Sequence, residues 1–566
     1  MLISLKFLYF RKSLINKKNM SKIWAKKPMS AYEADIQKSE LKRVLGKWSL
    51  TAIGIGAIIG GGIFVLTGTG AYYNAGPALA LSFVVAGIAC VFAALCYAEF
   101  ASILPVEGSA YAYAYGTVGE IFAWIIGWGL ILEYAMGSMT VAVSWSGYFG
   151  KLLKMFGLHL PYWMTTDPGT AHKAFGEATK QIAEGKLPAD KLLGFQETIN
   201  NFNAAPELLD FKLFLNLPAL LIVLFVIWIL LRGTKGAAKA NNFIVILKVS
   251  AIIFVIIAGL FFIDTANWTP FIPDATTITE NGVSHKAYGY GGIIAGASAI
   301  FFAYVGFDAV STQAGEAINP KKDVPFAIIT SLVICTILYI LVSLVLTGMM
   351  HYTDFNPLGK YPDAIKAPVA YAFDIAGQQW AGYIITIAAT VGLISVLMVM
   401  IMGQSRIFLG MSKDGLIPST FSKVNPTSGV PRKNLMILGT VIAIVASLTP
   451  INELAHMTSF GTLFAFTMVC VAVWVLRVKE PNLVRSFRVP ALPVIACLGI
   501  AINVYLIFNL SKEAQMYSFG WLIIGFIIYF LYSKRNSKLQ NGGYGETFKA
   551  EQKPLEDVNI NIDNKE

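Results

Sequence analysis

The chain has 566 residues, of which 56% are hydrophobic and only 14% charged, with a formal net charge of +11. That balance lies far outside the range of water-soluble domains and makes lipid the solvent for most of the chain. The positive charge does not mark a nucleic-acid partner, because the nine arginines (Arg11, Arg43, Arg232, Arg406, Arg432, Arg477, Arg485, Arg488 and Arg535) all fall in the termini or on one side of the hydrophobic stretches.

Residues 1–48 read as a cytoplasmic N-terminal tail. Met1 to Phe10 is too short, and too interrupted by Lys6, for a signal peptide, and no small-residue cleavage site follows it. The segment after Met20 is basic and amphipathic, which makes Met20 a candidate start. Twelve hydrophobic stretches follow, near 49–70, 77–104, 119–150, 212–232, 241–264, 289–313, 325–350, 380–410, 434–450, 453–478, 490–510 and 517–533. Each is about long enough to cross, as a helix, a hydrocarbon core about 30 Å thick. Short loops on the arginine side also hold Lys235, Lys239, Lys321, Lys322, Lys413, Lys423, Lys433 and Lys479, whereas the opposite short loops hold only Lys286, Lys360, Lys366 and Lys512. The positive-inside rule therefore predicts both termini in the cytoplasm, with the chain multi-pass in a bacterial inner membrane.

One hydrophilic insertion, about 151–211, is expected outside, with helix-like stretches such as Ala171 to Gly185; it reads as a surface cap, or alternatively as a gate or docking element. Residues 534–566 are polar and expected to be a disordered tail. The five cysteines, Cys90, Cys96, Cys335, Cys470 and Cys497, lie in hydrophobic stretches without metal-site spacing, and the five histidines, His159, His172, His285, His351 and His456, fall in or near external loops. No metal or cofactor is implied, and no paired nucleophile and base suggests an enzyme.

Two stretches, five helices apart, are not ordinary membrane-spanning sequence. Gly54-Ile-Gly-Ala-Ile-Ile-Gly-Gly-Gly62 has five glycines in nine residues, and Phe301-Phe-Ala-Tyr-Val-Gly-Phe-Asp308 combines aromatics, a glycine and an acid. Glycine can serve close helix packing, but matched interruptions in two five-helix halves point to an inverted-repeat transporter with a midplane site of unwound backbone. The expected architecture is all-α and integral to the membrane: twelve transmembrane helices in a 5+5 inverted repeat (49–264 and 289–478), discontinuous first and sixth helices, and two extra C-terminal helices within 490–533.

At these residues the chain resembles the amino acid-polyamine-organocation permeases, and among them the bacterial members of the cationic amino acid transporter-like family. The resemblance runs from Lys42 to about Tyr532 and rests on Gly56-Ala-Ile-Ile-Gly-Gly-Gly-Ile-Phe64, Cys96-Tyr-Ala-Glu-Phe100, Gly108-Ser-Ala-Tyr-Ala-Tyr113, Phe302-Ala-Tyr-Val-Gly-Phe-Asp-Ala-Val-Ser-Thr312 and Met411-Ser-Lys-Asp-Gly-Leu-Ile-Pro418. It implies that backbone N–H groups of Gly60, Gly61 and Gly62 hold a substrate carboxylate, as a half-helix N-terminus can. It also implies that carbonyls of Ile58, Phe302, Ala303 and Val305 meet the substrate ammonium, with Phe302 as an aromatic gate. The middle glycine of the trio often carries Ser, Thr or Ala in the family; Gly61 keeps the amide but lacks a hydroxyl. Met400 aligns with a position facing the side-chain pocket, where animal cationic transporters tend to carry a small residue, so small or medium neutral amino acids are favoured.

Lys248 lies in the middle of the fifth stretch, where a lone ammonium demands a reason. Snorkelling or a structural salt bridge is one reading; the resemblance implies a proton-coupling lysine packed against the first break near Gly56. Of the intramembrane acids, Glu99 reads as structural or gating, and Glu133 and Asp308 as groups that balance Lys248 or bias a cationic side chain. The expected function is proton-coupled symport of L-amino acids into the cytoplasm, with amino acids, protons and lipid as partners. The alternatives are a cationic amino acid or polyamine permease, an exchanger, or an amino acid receptor on the same scaffold.

Overall fold

The computed structural model describes residues 24–28, 31–32, 45–103, 109–184, 189–208, 211–232, 234–280, 283–312, 314, 317–357, 360–361, 363–425 and 430–542. Most of the proposed N-terminal tail, including the candidate start at Met20, lies outside them, as does Gly108 of the quoted motif.

All twelve hydrophobic stretches are helical. In chain order they give α1 (Lys47–Ile58), α2 (Gly61–Phe64) and α3 (Leu66–Gly70) in the first, α4 (Leu79–Ile103), a short α5 (Ser109–Thr117), and α6 (Glu120–Met155). The insertion holds α7 (Pro168–Glu184) and α8 (Ala189–Asn203), followed by α9 (Leu217–Leu231) and α10 (Thr234–Gly259). The sixth stretch is divided into α11 (Gly289–Ile300) and α12 (Ala309–Thr312), and α13 (Pro320–Met349), α14 (Pro368–Ile375), α15 (Gln379–Lys413), α16 (Arg432–Leu448), α17 (Ile451–Lys479), α18 (Leu492–Phe508) and α19 (Lys512–Ile528) complete the bundle. Among the described residues, eight helical runs are long and apolar enough to cross a membrane by length and composition, and α9 and α18 are shorter apolar helices. Only a helix satisfies its own backbone within a single segment in lipid, which is why uninterrupted apolar sequence takes this form.

The core forms where α6 packs against α15 and α17, and α4 against α13. Phe83, Tyr97, Trp124, Tyr134, Tyr304 and Tyr339 are buried there. Outward-facing Phe225 and Trp228 of α9, Phe243 and Ile257 of α10, and Ile523 and Ile527 of α19 are exposed. A surface of this kind suits hydrocarbon and would be costly in water.

The insertion has a small core of its own, in which Phe202 stacks between Phe175 and Phe214 with ring centroids 4.2 and 5.1 Å away. It is fixed to the bundle by Lys173 to Glu453 at 3.0 Å and by Asn216 N–H to the Ser447 carbonyl at 2.9 Å.

The expected disordered tail needs a correction at its start: residues 534–542 are ordered against the bundle, and 543–566 lie outside the described residues. The reason is Glu120, a buried carboxylate that needs donors. It receives the Tyr529 hydroxyl at 3.0 Å, the Gln540 amide at 2.7 Å and the Ser537 hydroxyl. The N-terminal segment joins the same face, where Lys27 donates to Asp414 at 3.0 Å.

Candidate functional site

The helical ladder of the first span stops after Ile58. Ile59 (φ −71°, ψ 102°) and Gly60 (φ −146°, ψ −147°) are non-helical, and α2 begins at Gly61. The interruption expected over Gly60 to Gly62 is therefore centred one residue earlier, and a second irregularity falls at Val65 (φ −123°, ψ −52°). Among the described residues, the N–H groups of Gly60, Gly61 and Gly62 donate to no backbone carbonyl.

In the sixth span α11 tightens into a 3-10 turn over Phe301–Tyr304 and then opens at Val305 (φ −60°, ψ 131°). Gly306 follows at φ +121°, a conformation that a side chain would strain. It also lies too close to Ala57 for one: a Cβ there would be 2.8 Å from the Ala57 carbonyl. A Cβ on Gly62 would run into the backbone of Ala303. The glycines thus let the two interrupted spans meet backbone to backbone, and both breaks are buried.

Two side chains unmarked in the sequence reading join these breaks. The Tyr339 hydroxyl of α13 lies 2.8 Å from the Ile58 carbonyl and 2.9 Å from that of Ala303. A phenol has one proton, so it serves one carbonyl fully at a time, and each carbonyl retains a second lone pair. Ser459 of α17 accepts the Phe302 N–H at 3.1 Å. A tyrosine in an apolar span was the available signal for Tyr339; nothing local distinguished Ser459.

Lys248 of α10 is fully buried, which removes the snorkelling reading. Its ammonium donates to the Gly56 carbonyl, to the Ile59 carbonyl at 3.0 Å and to Ser395 Oγ at 3.2 Å. Ser395 Oγ in turn donates to the Gly392 carbonyl at 2.8 Å. An ammonium has three N–H donors and here meets three acceptors, all neutral.

The ring of Phe302 and the sulfur of Met400 converge on Gly137 of α6. A Cβ at Gly137 would lie 3.5 Å from Thr458 Cγ2, 3.7 Å from Met400 Sδ and 3.8 Å from Phe302 Cε2. A small residue on α6 and three side chains from α15, α17 and the sixth span therefore form one apolar wall.

The acids separate. Glu99 is held at the end of α4 by Arg477, by the Arg485 guanidinium 3.0 Å away and by the Val489 N–H at 2.8 Å. Asp308 accepts from the Tyr134 hydroxyl at 2.8 Å, while its other oxygen and both oxygens of Glu133 are buried without hydrogen-bond partners among the described residues. Neither acid is among the groups that the Lys248 ammonium touches, so the structure does not place them as its counter-ions.

Two interrupted helices meeting at the centre of an apolar bundle, with the Gly60, Gly61 and Gly62 amides free of backbone acceptors among the described residues, define a multi-pass membrane protein with unwound backbone at its core. The chain belongs to the amino acid permease family, within the amino acid-polyamine-organocation superfamily: the family model described as "Amino acid permease" matches residues 45–532. It is 43% identical over 499 residues to the branched-chain amino acid permease BcaP of Bacillus subtilis, covering 88% of this chain and 95% of the relative. It is 38% identical over 520 residues to the methylthioribose transporter of the same organism, covering 92% and 100%. With cationic amino acid transporter 3 of Arabidopsis thaliana it shares 36% over 442 residues, covering 78% and 63%.

Proposed function

We propose that the protein imports small to medium neutral L-amino acids by proton symport, in a bacterial inner membrane with both termini in the cytoplasm and twelve spans arranged as two inverted repeats plus two helices. The observation that carries the coupling is the ammonium of Lys248 set on the carbonyls of Gly56 and Ile59 at the first break. Protonated, Lys248 ties α10 to α1 on one side of the substrate amides; deprotonated towards the cytoplasm, it has one donor fewer and the break loosens for release.

In this reading the substrate carboxylate takes the amides of Gly60, Gly61 and Gly62, and its ammonium takes free lone pairs on Ile58, Phe302, Ala303 and Val305. The Phe302 ring covers the site, and Met400 limits side-chain length. The branched-chain activity named for the 43% identical relative favours medium aliphatic side chains. A second reading, import of a cationic amino acid, is favoured by the two buried carboxyls of Glu133 and Asp308.

Uptake of labelled leucine into proteoliposomes tests both, with and without an acid-outside gradient and with isoleucine, arginine and lysine as competitors. Net uptake that needs the gradient and yields to isoleucine but not arginine is expected. Gradient-independent exchange, or binding without uptake, would refute the symport reading; dominance by arginine would select the second.

A further inference from the structure

Gly61 has no side chain, and the space where one would begin is filled from another helix. A Cβ built on Gly61 would lie 2.5 Å from Ser144 Oγ and 3.0 Å from Ser144 Cβ, with Phe302 Cε1 3.7 Å away. Ser144 of α6 therefore stands directly over the residue whose amide faces the substrate in the proposed site.

Its hydroxyl is also unlike its neighbours. Within α6, Ser138 and Thr140 donate to carbonyls four residues back at 2.7 and 2.8 Å, and Ser146 donates to Asn216 at 2.6 Å. Ser144 is 1% exposed, and its Oγ has no hydrogen-bond partner among the described residues. A buried hydroxyl that forgoes the carbonyl of its own helix calls for a partner. Beside it, the N–H groups of Gly60, Gly61 and Gly62 donate to no backbone carbonyl among the described residues, and such free donors suit an anion.

We infer that Ser144 Oγ donates a hydrogen bond to the substrate carboxylate, supplying from α6 the hydroxyl that Gly61 does not carry. This rests on the amino acid permease reading of the site. Seen this way, Gly61 and Ser144 are complementary: a side chain at 61 and the hydroxyl at 144 compete for one position, and the chain uses the second.

The test uses the full-length protein in proteoliposomes. Ser144→Ala keeps the helix, since alanine is the best helix former. It should raise the half-saturation concentration for leucine roughly ten- to hundred-fold, the factor expected on losing a hydrogen bond to a charged group. Inhibition by 3-methylbutylamine, which is leucine without its carboxylate, should not weaken. Gly61→Ser alone should abolish uptake by collision with Ser144, and Gly61→Ser combined with Ser144→Gly should recover leucine affinity relative to Ser144→Gly alone. Unchanged leucine affinity in Ser144→Ala, or an equal loss for leucine and the amine, overturns the inference and leaves the permease reading intact. Absence of amino acid uptake by the wild-type protein would overturn that reading instead.

Discussion

Replacing Lys248 by methionine removes the ammonium at nearly constant side-chain volume. The carbonyls of Gly56 and Ile59 and the hydroxyl of Ser395 lose a donor together. In the wild-type protein a single deprotonation has a smaller version of this effect, because two N–H groups then face three acceptors. Ser395 has already committed its proton to Gly392, so the amine lone pair finds no donor there without breaking that bond. One charge-assisted hydrogen bond is worth about 1.5–3 kcal/mol, so each proton gained or lost should shift the closure of the first break roughly ten- to hundred-fold. One pH unit supplies about 1.4 kcal/mol per proton, enough for about tenfold accumulation in one-proton symport. Lys248→Met should reduce accumulation of labelled leucine against a one-unit gradient from about tenfold to about equal concentrations, while counterflow persists. Retention of tenfold accumulation by Lys248→Met would refute the assignment of coupling to this side chain.

Glu99→Ala leaves Arg477 and Arg485 at the end of α4 without their shared carboxylate. The expected loss is about 3–5 kcal/mol of stability, read as a lower unfolding midpoint in detergent. Met400→Ser shortens one side of the wall shared with Phe302 and Thr458 and should let arginine or lysine compete more strongly for leucine uptake; no change in the competition series would remove Met400 from the pocket. In the loop between α13 and α14, burial raises the Asp363 carboxyl but Lys366 and Lys154 outweigh it and hold its pKa at about 2. Because this folded value is depressed, the contribution is present above the ordinary carboxylate range and is lost as pH falls through about 2. Protease resistance of the loop should thus be unchanged between about pH 7 and 5; release of the Lys154 contact in that window would contradict the assignment.

Apolar periods and glycine interruptions made the helical bundle and its two irregular spans legible, because the bilayer leaves uninterrupted apolar sequence almost no other backbone form. Lys248 stood out for the same reason: an isolated ammonium in a hydrophobic stretch has to be explained. The resemblance already implied a neighbour near Gly56, but its other acceptors, Ile59 and Ser395, did not stand out, since they reach Lys248 only when α10 and α15 pack against the first span.

The same limit applies to Tyr339, Ser459 and Ser144. Each is one of several hydroxyl-bearing residues in a largely apolar helix, and whether its hydroxyl meets its own helix, another carbonyl or nothing depends on rotation and depth, which sequence spacing does not encode. Residues 534–542 differ from expectation for a related reason: their polarity suggested disorder, but a buried carboxylate at Glu120 supplied a partner that only the assembled bundle presents. Sequence determined which segments prefer lipid and where the helical ladder fails, because those are local properties of side chains and backbone. Tertiary packing decided which polar groups find partners and which stay unpaired, because a hydrogen bond is made or lost over about an ångström between residues far apart in the chain.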